Sequence, residues 1–172
     1  MTSLPLALRA PDPRIAIRPV KISDTESLRV HCWPNRKFMA VYGVVSRAAR
    51  SMAQERGLGL VITSAEGLAI GFGQYSVWPA CAEISDLVVS ESHRGQGLGT
   101  TLIQALLQHG LQRGITTFEI GVALDNPRAA ALYRRLGFVD SHTVLLHLDR
   151  GPERVQFLRL SADAPAAPAA RT

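Results

Sequence analysis

Along most of the chain the apolar positions fall at helical spacing in some stretches and at strand spacing in others. Arg14 to Val20 reads as a short strand. Ser23 followed by Glu26 has the spacing of a capping box and predicts a helix that ends before Pro34. Asn35 can cap a second helix, with Phe38, Val41, Tyr42, Val45, Ala48, Ala49 and Met52 as its apolar stripe and Gly57 as its stop. Leu58 to Thr63 and Leu68 to Trp78 flank a turn at Ala65-Glu66-Gly67 and form a hairpin, and Ala82 to Val89 is the next strand. The glycine-rich stretch Arg94 to Gly99 opens a helix that runs to about Arg113, with Leu98, Leu102, Ala105, Leu106 and His109 on one side and Gly114 as its stop. Thr116 to Val122 is a strand and Asn126 to Leu136 a helix closed by Gly137. Val139 to Leu148 and Val155 to Leu160 are the last strands, joined by a turn at Arg150-Gly151-Pro152.

Hairpins imply antiparallel pairing in the first half, and the strand–helix–strand unit around Gly114 implies one parallel pair. The pattern predicts an α/β fold: a mixed, mostly antiparallel central sheet of about seven strands flanked by about four helices. Residues 1–13 are expected to be a flexible segment, residues 14–161 a single domain, and residues 162–172 a disordered tail rich in Ala and Pro.

Composition narrows the class. With 47% hydrophobic and 19% charged residues, the chain of 172 residues suits one soluble domain with one sizeable core. No apolar run is long enough for a membrane helix, and no basic start precedes a long apolar stretch, so neither membrane nor secretory signal is expected. Cys32 and Cys81 lie far apart, which suits packing residues in a reducing cytoplasm. His31, His93, His109, His142 and His147 show no metal-ligand spacing, so no metal is expected. The net charge of +5 comes from scattered residues, which argues against nucleic acid and is compatible with an anionic ligand.

Chemistry concentrates where the strand ending Val88-Val89 runs through Ser90-Glu91-Ser92-His93-Arg94-Gly95-Gln96-Gly97-Leu98-Gly99-Thr100 into a helix. Glycines admit phosphate oxygens to backbone N–H groups, and a helix N-terminus supplies free donors and a partial positive charge. Three readings compete. A Walker loop needs a lysine before Thr100, where Gly99 stands. A dinucleotide fingerprint begun at Gly95 needs glycine at Thr100; Glu119, at a tolerable distance for a ribose-binding acid, falls in mid-strand, and a second βαβ half is missing. The pattern R-x-x-G-x-G fits at Arg94, Gly97 and Gly99 and resembles the pyrophosphate loop of the GNAT N-acetyltransferases. Downstream, Asn126-Pro127-Arg128-Ala129-Ala130-Ala131-Leu132-Tyr133-Arg134-Arg135-Leu136-Gly137-Phe138 resembles that family's N-x-x-A-x-x-L-Y-x-x-x-G-F signature, after the strand where the family carries it. Ile17-Arg18-Pro19-Val20 also looks like the family's usual start.

The resemblance implies a GNAT-like sheet with splayed central strands and acetyl-CoA as co-substrate. Leu87, Val88 and Val89 would give backbone bonds to the pantetheine arm, the amides of Arg94, Gly95, Gln96, Gly97, Leu98, Gly99 and Thr100 would hold the pyrophosphate, and Asn126 would bond the cofactor near its pantetheine end. It also implies an enzyme that moves acetyl to a primary amine by direct attack in a ternary complex. Tyr133 is the candidate acid for the departing thiolate, although it shares the apolar stripe of Ala129, Leu132 and Leu136 and could be core. Glu83 matches the catalytic glutamate of the family's histone-acetylating branch and is the candidate base, with Asp86 in reserve and a water chain as a third route. Strict alternation puts Glu83, Ser85 and Leu87 on one face of the strand and Ala82, Ile84 and Asp86 on the other. The oxyanion donor would be an amide near Leu87 or Val88.

The acceptor is left open among amino acids, peptides and small amines. Acceptor residues are expected around Cys32 to Phe38 and in the last hairpin. Arg36 and Lys37 make the first stretch basic, which favours an amine that also bears a carboxylate, and Trp33 and Trp78 could wall the pocket. Dimers are common in the family, so a homodimer belongs to the expectation. The alternative on the same fold is a non-catalytic acyl-CoA-binding or sensing module.

Overall fold

The computed structural model describes residues 14–148 and 151–162. The flexible segment expected at 1–13, the tail from 163 onward and Arg150 of the expected turn lie outside these. Ala162, assigned to the tail, is tied by its N–H to the Thr116 carbonyl at 2.8 Å.

β1 (Ala16–Pro19) leads through a short 3-10 turn into α1 (Thr25–His31), then α2 (Phe38–Ala53) and the strands β2 (Gly57–Thr63), β3 (Ala69–Val77) and β4 (Ala82–Val89). α3 (Leu98–Gln112), β5 (Thr117–Ala123), α4 (Pro127–Arg135), β6 (Val139–Leu148) and β7 (Gly151–Ser161) follow. The seven strands form one sheet in the order β1-β2-β3-β4-β5-β7-β6. Every neighbouring pair is antiparallel except β4 and β5. This is the mixed, mostly antiparallel architecture expected from the sequence.

Local chemistry differs from expectation at three starts. Asp24, not Ser23 or Glu26, organises the entry to α1. Its carboxylate accepts from the Lys21 amide at 2.8 Å and takes a two-pronged bond from Arg18 at 2.7 and 2.8 Å, while Glu26 pairs with Arg29. Burial would raise the Asp24 carboxyl, but the Arg18 bond and the Lys21 amide outweigh it and hold the group below its usual range. α2 is capped at Lys37, not Asn35, and its buried stripe is Val41, Val44, Val45 and Ala48, which leaves Phe38 and Tyr42 stacked on the outside. β7 begins at Gly151, inside the stretch read as a turn.

Two cores sit on opposite faces of the sheet. On one, α1 and α2 bury Leu28, Val41 and Val45 against Val61 and Phe72. On the other, Leu102, Ile103, Leu106 and Leu107 of α3 pack with Tyr75, Ile84, Phe118 and Ile120, and α4 adds Ala130 and Tyr133. Each such side chain contributes on the order of 1.5–3 kcal/mol when fully buried. The α3 contact is close enough to need glycine. A Cβ on Gly110 would stand 2.6 Å from the ring of Phe118, which is fully buried and has nowhere to move. Gly110→Ala should therefore cost about 1–3 kcal/mol despite alanine's better helix propensity. Urea unfolding would show this as a lower midpoint with an unchanged slope.

Candidate functional site

The site begins where β4 and β5 part. They pair only at Ala82–Phe118, Glu83–Glu119 and Ile84–Ile120. Beyond Ile84, β4 stays with β3 (Phe72–Val88, Gly71–Val89) and β5 stays with β7 out to Ala123–Val155. Each strand keeps its outer partner and loses the inner one, so the inner edge of β4 from Ser85 onward has no β5 partner.

A bulge marks the divergence. Between Phe72 and Gln74 β3 has one residue, whereas the paired stretch of β4, Ser85 to Val88, has two in between, and Asp86 takes a φ of +53°. The bulge overturns strict alternation. Leu87 comes to the α3 face, where a Cβ on Gly73 would lie 2.6 Å from its Cδ2 and 3.1 Å from that of Leu102. Asp86 goes to the opposite face, where its Oδ2 accepts from Gln74 Nε2 at 2.7 Å. Asp86 thus joins Glu83 and Ser85, not Ala82 and Ile84.

On the α3 face the gap opens into a cleft of about 620 Å³, lined by Leu87, Val88, Val89, Leu102, Ile103, Leu132 and Tyr133 and, at its mouth, by Arg94, Gly95, Gly97, Gly99 and Thr100. Gly95 and Gly97 have φ of +76° and +80°, with open space where a Cβ would be, so they answer to backbone conformation. Gly99 lies in ordinary helix, and a methyl there would only touch Leu132 at 3.9 Å; nothing in the protein itself requires glycine at that position. Among the described residues, the amides from Gly95 to Thr100 have no hydrogen-bond acceptor. They form a set of free donors at the N-terminus of α3, an arrangement suited to an anion.

Further nitrogen-bearing side chains reach the same mouth. Arg128 and Arg135 of α4 line it, as does His93, whose Nδ1 is held by Ser90 Oγ at 2.7 Å and Ser92 Oγ at 3.0 Å. The two arginines went unread in the sequence, although their seven-residue spacing around Ala129 and Leu132 puts them on one helical side. Arg94 lies exposed at the mouth and bonds the Val89 carbonyl through Nε at 3.3 Å.

Other candidates are placed elsewhere. The Leu98 side chain is in the core and Gln96 borders a separate recess beside Glu66 and His93. Asn126 is the N-cap of α4: its Oδ1 accepts from the Ala129 amide at 3.2 Å, and it does not line the cleft. Tyr133 combines both readings of the sequence. It is 7% exposed and packs by Phe138, yet it lines the cleft, and its hydroxyl has no hydrogen-bond partner among the described residues. Burial pushes its phenol up to about 12.

The far face of the gap carries Glu83, Ser85 and Asp86, with Glu119 of β5 beside Glu83. Arg159 takes Glu119 Oε1 at 2.6 and 2.9 Å, and Cys81 Sγ is 3.7 Å from its other oxygen. Burial, and then the Glu119 carboxylate, holds the Cys81 thiol above its usual range, while burial pushes Cys32 up to about 12, so neither is a poised thiolate. Trp33 packs edge-on against Phe72 with the Arg36 guanidinium 5.2 Å from its ring centre, and both border a recess of about 970 Å³ between the α1–α2 connection and Glu91–Arg94. Trp78 is exposed at the end of β3. No described helix is long and apolar enough to cross a membrane.

The phenol can be checked directly. A raised acid holds its proton to higher pH, so the absorbance titration of the parent minus that of Tyr133→Phe should stay flat to about pH 10.5, where a phenol at its reference value would be mostly ionised.

Known proteins share this fold. The structure superposes on ribosomal L7/L12 alpha-N-protein acetyltransferase RimL in complex with coenzyme A, with a TM-score of 0.74 at 20% identity over 90% of this chain and 97% of that one. It also superposes on yncA of Salmonella typhimurium, a putative acetyltransferase with its cofactor acetyl-CoA, with a TM-score of 0.70 at 21% identity over 92% and 99% of the two chains. Among curated proteins, the L-methionine sulfoximine/L-methionine sulfone acetyltransferase of Pseudomonas paraeruginosa is 31% identical over 84 residues, 46% of this chain and 49% of that protein. The matches to the curated relatives span about half of their length or less. The model of the Acetyltransferase (GNAT) family matches residues 23–138, which run from the start of α1 to the end of the α4 motif, and the chain belongs to that family.

Proposed function

We propose that this protein is an N-acetyltransferase that moves acetyl from acetyl-CoA to a primary amine by direct attack in a ternary complex. The observation that carries the reading is the pairing of an open gap between β4 and β5 with a run of free amides, Gly95 to Thr100, at its mouth. The diphosphate of coenzyme A sits on those amides with Arg94, Arg128 and Arg135 around it, and Gly99 leaves the helix surface bare for it. The pantetheine arm runs along Leu87, Val88 and Val89 as an added strand. The relatives' names, which describe acetyl transfer to amino-acid analogues and a protein N-terminus, and the coenzyme A bound in the neighbours support the same reading.

The parted strands divide the chemistry between two faces. The thioester lies in the gap. The amine comes from the face of Glu83, which takes the ammonium proton directly or through water, so that nitrogen has a lone pair to give. A C–N bond forms as the carbonyl electrons move onto oxygen, where an amide near Leu87 or Val88 receives them. The nitrogen, still carrying two protons and a positive charge after attack, gives up its second proton through water to solvent. The carbonyl re-forms as the C–S bond breaks toward the α3 face, where Tyr133 donates its hydroxyl proton to the thiolate and regains one from solvent. The unpartnered hydroxyl suits this role, because no protein acceptor competes for its proton. No acyl-enzyme is needed, in keeping with the protonated state of both thiols.

Thiol release from acetyl-CoA, screened with amino acids, dipeptides and diamines, tests the reading. Tyr133→Phe should lower kcat by about 10² or more while acetyl-CoA binds within about twofold of the parent. Gly97→Ala should weaken acetyl-CoA binding about tenfold or more by calorimetry, because alanine pays about 1–2 kcal/mol at a left-handed φ and the amides turn away. A parent that binds acetyl-CoA and acetylates no amine would leave the sensing module as the function. Saturable NAD binding without coenzyme A binding would end both.

A further inference from the structure

We infer that Asp86, oriented by Gln74, is the residue that seats the acceptor's ammonium group, leaving Glu83 to take its proton. The inference rests on the acetyl-transfer reading above and adds the charge state in which the acceptor binds and the group that receives it.

Three observations place Asp86 in this role. The first is position: pairing of β4 to β5 ends at Ile84, and the bulge puts Asp86 at the first turn of the gap, on the face opposite Leu87. Leu87 lines the cleft that would hold the cofactor. A group on the other face therefore meets a nucleophile that approaches the same acyl carbon from the side the cofactor leaves free.

The second is electrostatic. Glu119, the carboxylate of β5 on this face, is satisfied by Arg159, whereas Asp86 has no cation within ion-pair distance among the described residues. Its one side-chain partner among the described residues is the neutral amide of Gln74, which engages Oδ2 and leaves Oδ1 open. A half-buried carboxyl whose one partner is a neutral amide has no counter-charge from the protein, and an incoming cation can supply it.

The third is conformational. At a φ of +53° glycine carries no Cβ penalty, so the fold alone is better served without this side chain. Gln74 is only 7% exposed, on the α1–α2 face between the cores, and its amide is directed at Asp86. A buried amide that fixes a strained carboxylate is a positioning device, and Gln74 acts through Asp86 only.

The consequence for substrate class is that the acceptor binds as an alkylammonium, with at least two N–H donors available to Asp86 Oδ1 before the proton is lost to Glu83. Weakly basic aromatic amines, which are uncharged at neutral pH, lack that handle.

Steady-state kinetics of Asp86→Asn, Asp86→Gly and Gln74→Leu, with the best of L-lysine, putrescine and glycylglycine as acceptor, test the assignment. Asp86→Asn should raise the KM for the amine about tenfold or more, change kcat much less, and leave acetyl-CoA affinity within about twofold. Gln74→Leu should move the amine KM in the same direction by less. Asp86→Gly relieves the left-handed φ but leaves the buried Gln74 amide unpaired. The double variant Asp86→Gly/Gln74→Leu, which removes both partners, should therefore keep a thermal midpoint close to the parent's while losing amine affinity like Asp86→Asn, which separates seating of the acceptor from support of the fold. If Asp86→Asn and Asp86→Gly keep the parental amine KM, or lower kcat with the KM unmoved, the assignment is wrong while acetyl transfer stands. A parent that binds acetyl-CoA but acetylates no amine of the full screen of amino acids, dipeptides and diamines removes the transfer reading and this one together.

Discussion

One extra residue in one strand governs the geometry of this protein. Between its pairs with Gln74 and Phe72, β4 carries Asp86 and Leu87 against a single Gly73 on β3. The bulge bends β4, and a bent β4 follows β3 while β5 follows β7. A sheet interior without ladder partners is costly unless something fills it, because backbone donors and acceptors buried away from water lose about a hydrogen bond each. The gap is therefore suited to an added strand by the same logic that applies to an exposed sheet edge: the strand's own hydrogen-bonding pattern specifies what can lie there.

The bulge also sorts side chains. In an unbroken strand Leu87 and Asp86 would have changed places, setting a carboxylate into the apolar wall shared with Leu102 and sending a leucine to Gln74. With the bulge, the cleft side stays apolar around Leu102, Leu132 and Tyr133, and the opposite side keeps Glu83, Ser85 and Asp86. On the proposed function a thioester tail and a charged amine need opposite surroundings, and a single strand offers both kinds only because its alternation is interrupted between them.

The elements were legible because each rests on a local rule. The helical stripes of α3 and α4 and the Gly114 and Gly137 stops obey periodicity and capping, which a sequence shows directly. The anion loop was legible because positive φ at two positions selects glycine at Gly95 and Gly97. The bulge was not, since its left-handed residue is Asp86, and an aspartate inside an alternating run carries no mark of its backbone. The cap bond of Asn126 was not legible for a related reason: a cap and a cofactor contact draw on the same residue type, and only coordinates reveal that its Oδ1 accepts from the Ala129 amide. Arg128 and Arg135 were missed because charges on an exposed helix usually face water, and their place at the cleft depends on how α4 docks on α3.

These same facts bear on which carboxylate does what. Glu83 sits in the last stretch where β4 and β5 still pair, and Glu119, its neighbour across that pairing, is neutralised by Arg159. That leaves Glu83 beside a compensated pair rather than a bare charge, on a backbone of ordinary extended geometry, with a long side chain that can follow a proton. Asp86 is the reverse: a short side chain on a strained backbone, fixed by a buried amide, unable to move far. Proton abstraction tolerates a mobile base and even an intervening water, whereas holding an amine within reach of an acyl carbon needs a fixed point. In the proposed mechanism the division of labour follows from stiffness: the rigid carboxylate is assigned to binding and the flexible one to deprotonation.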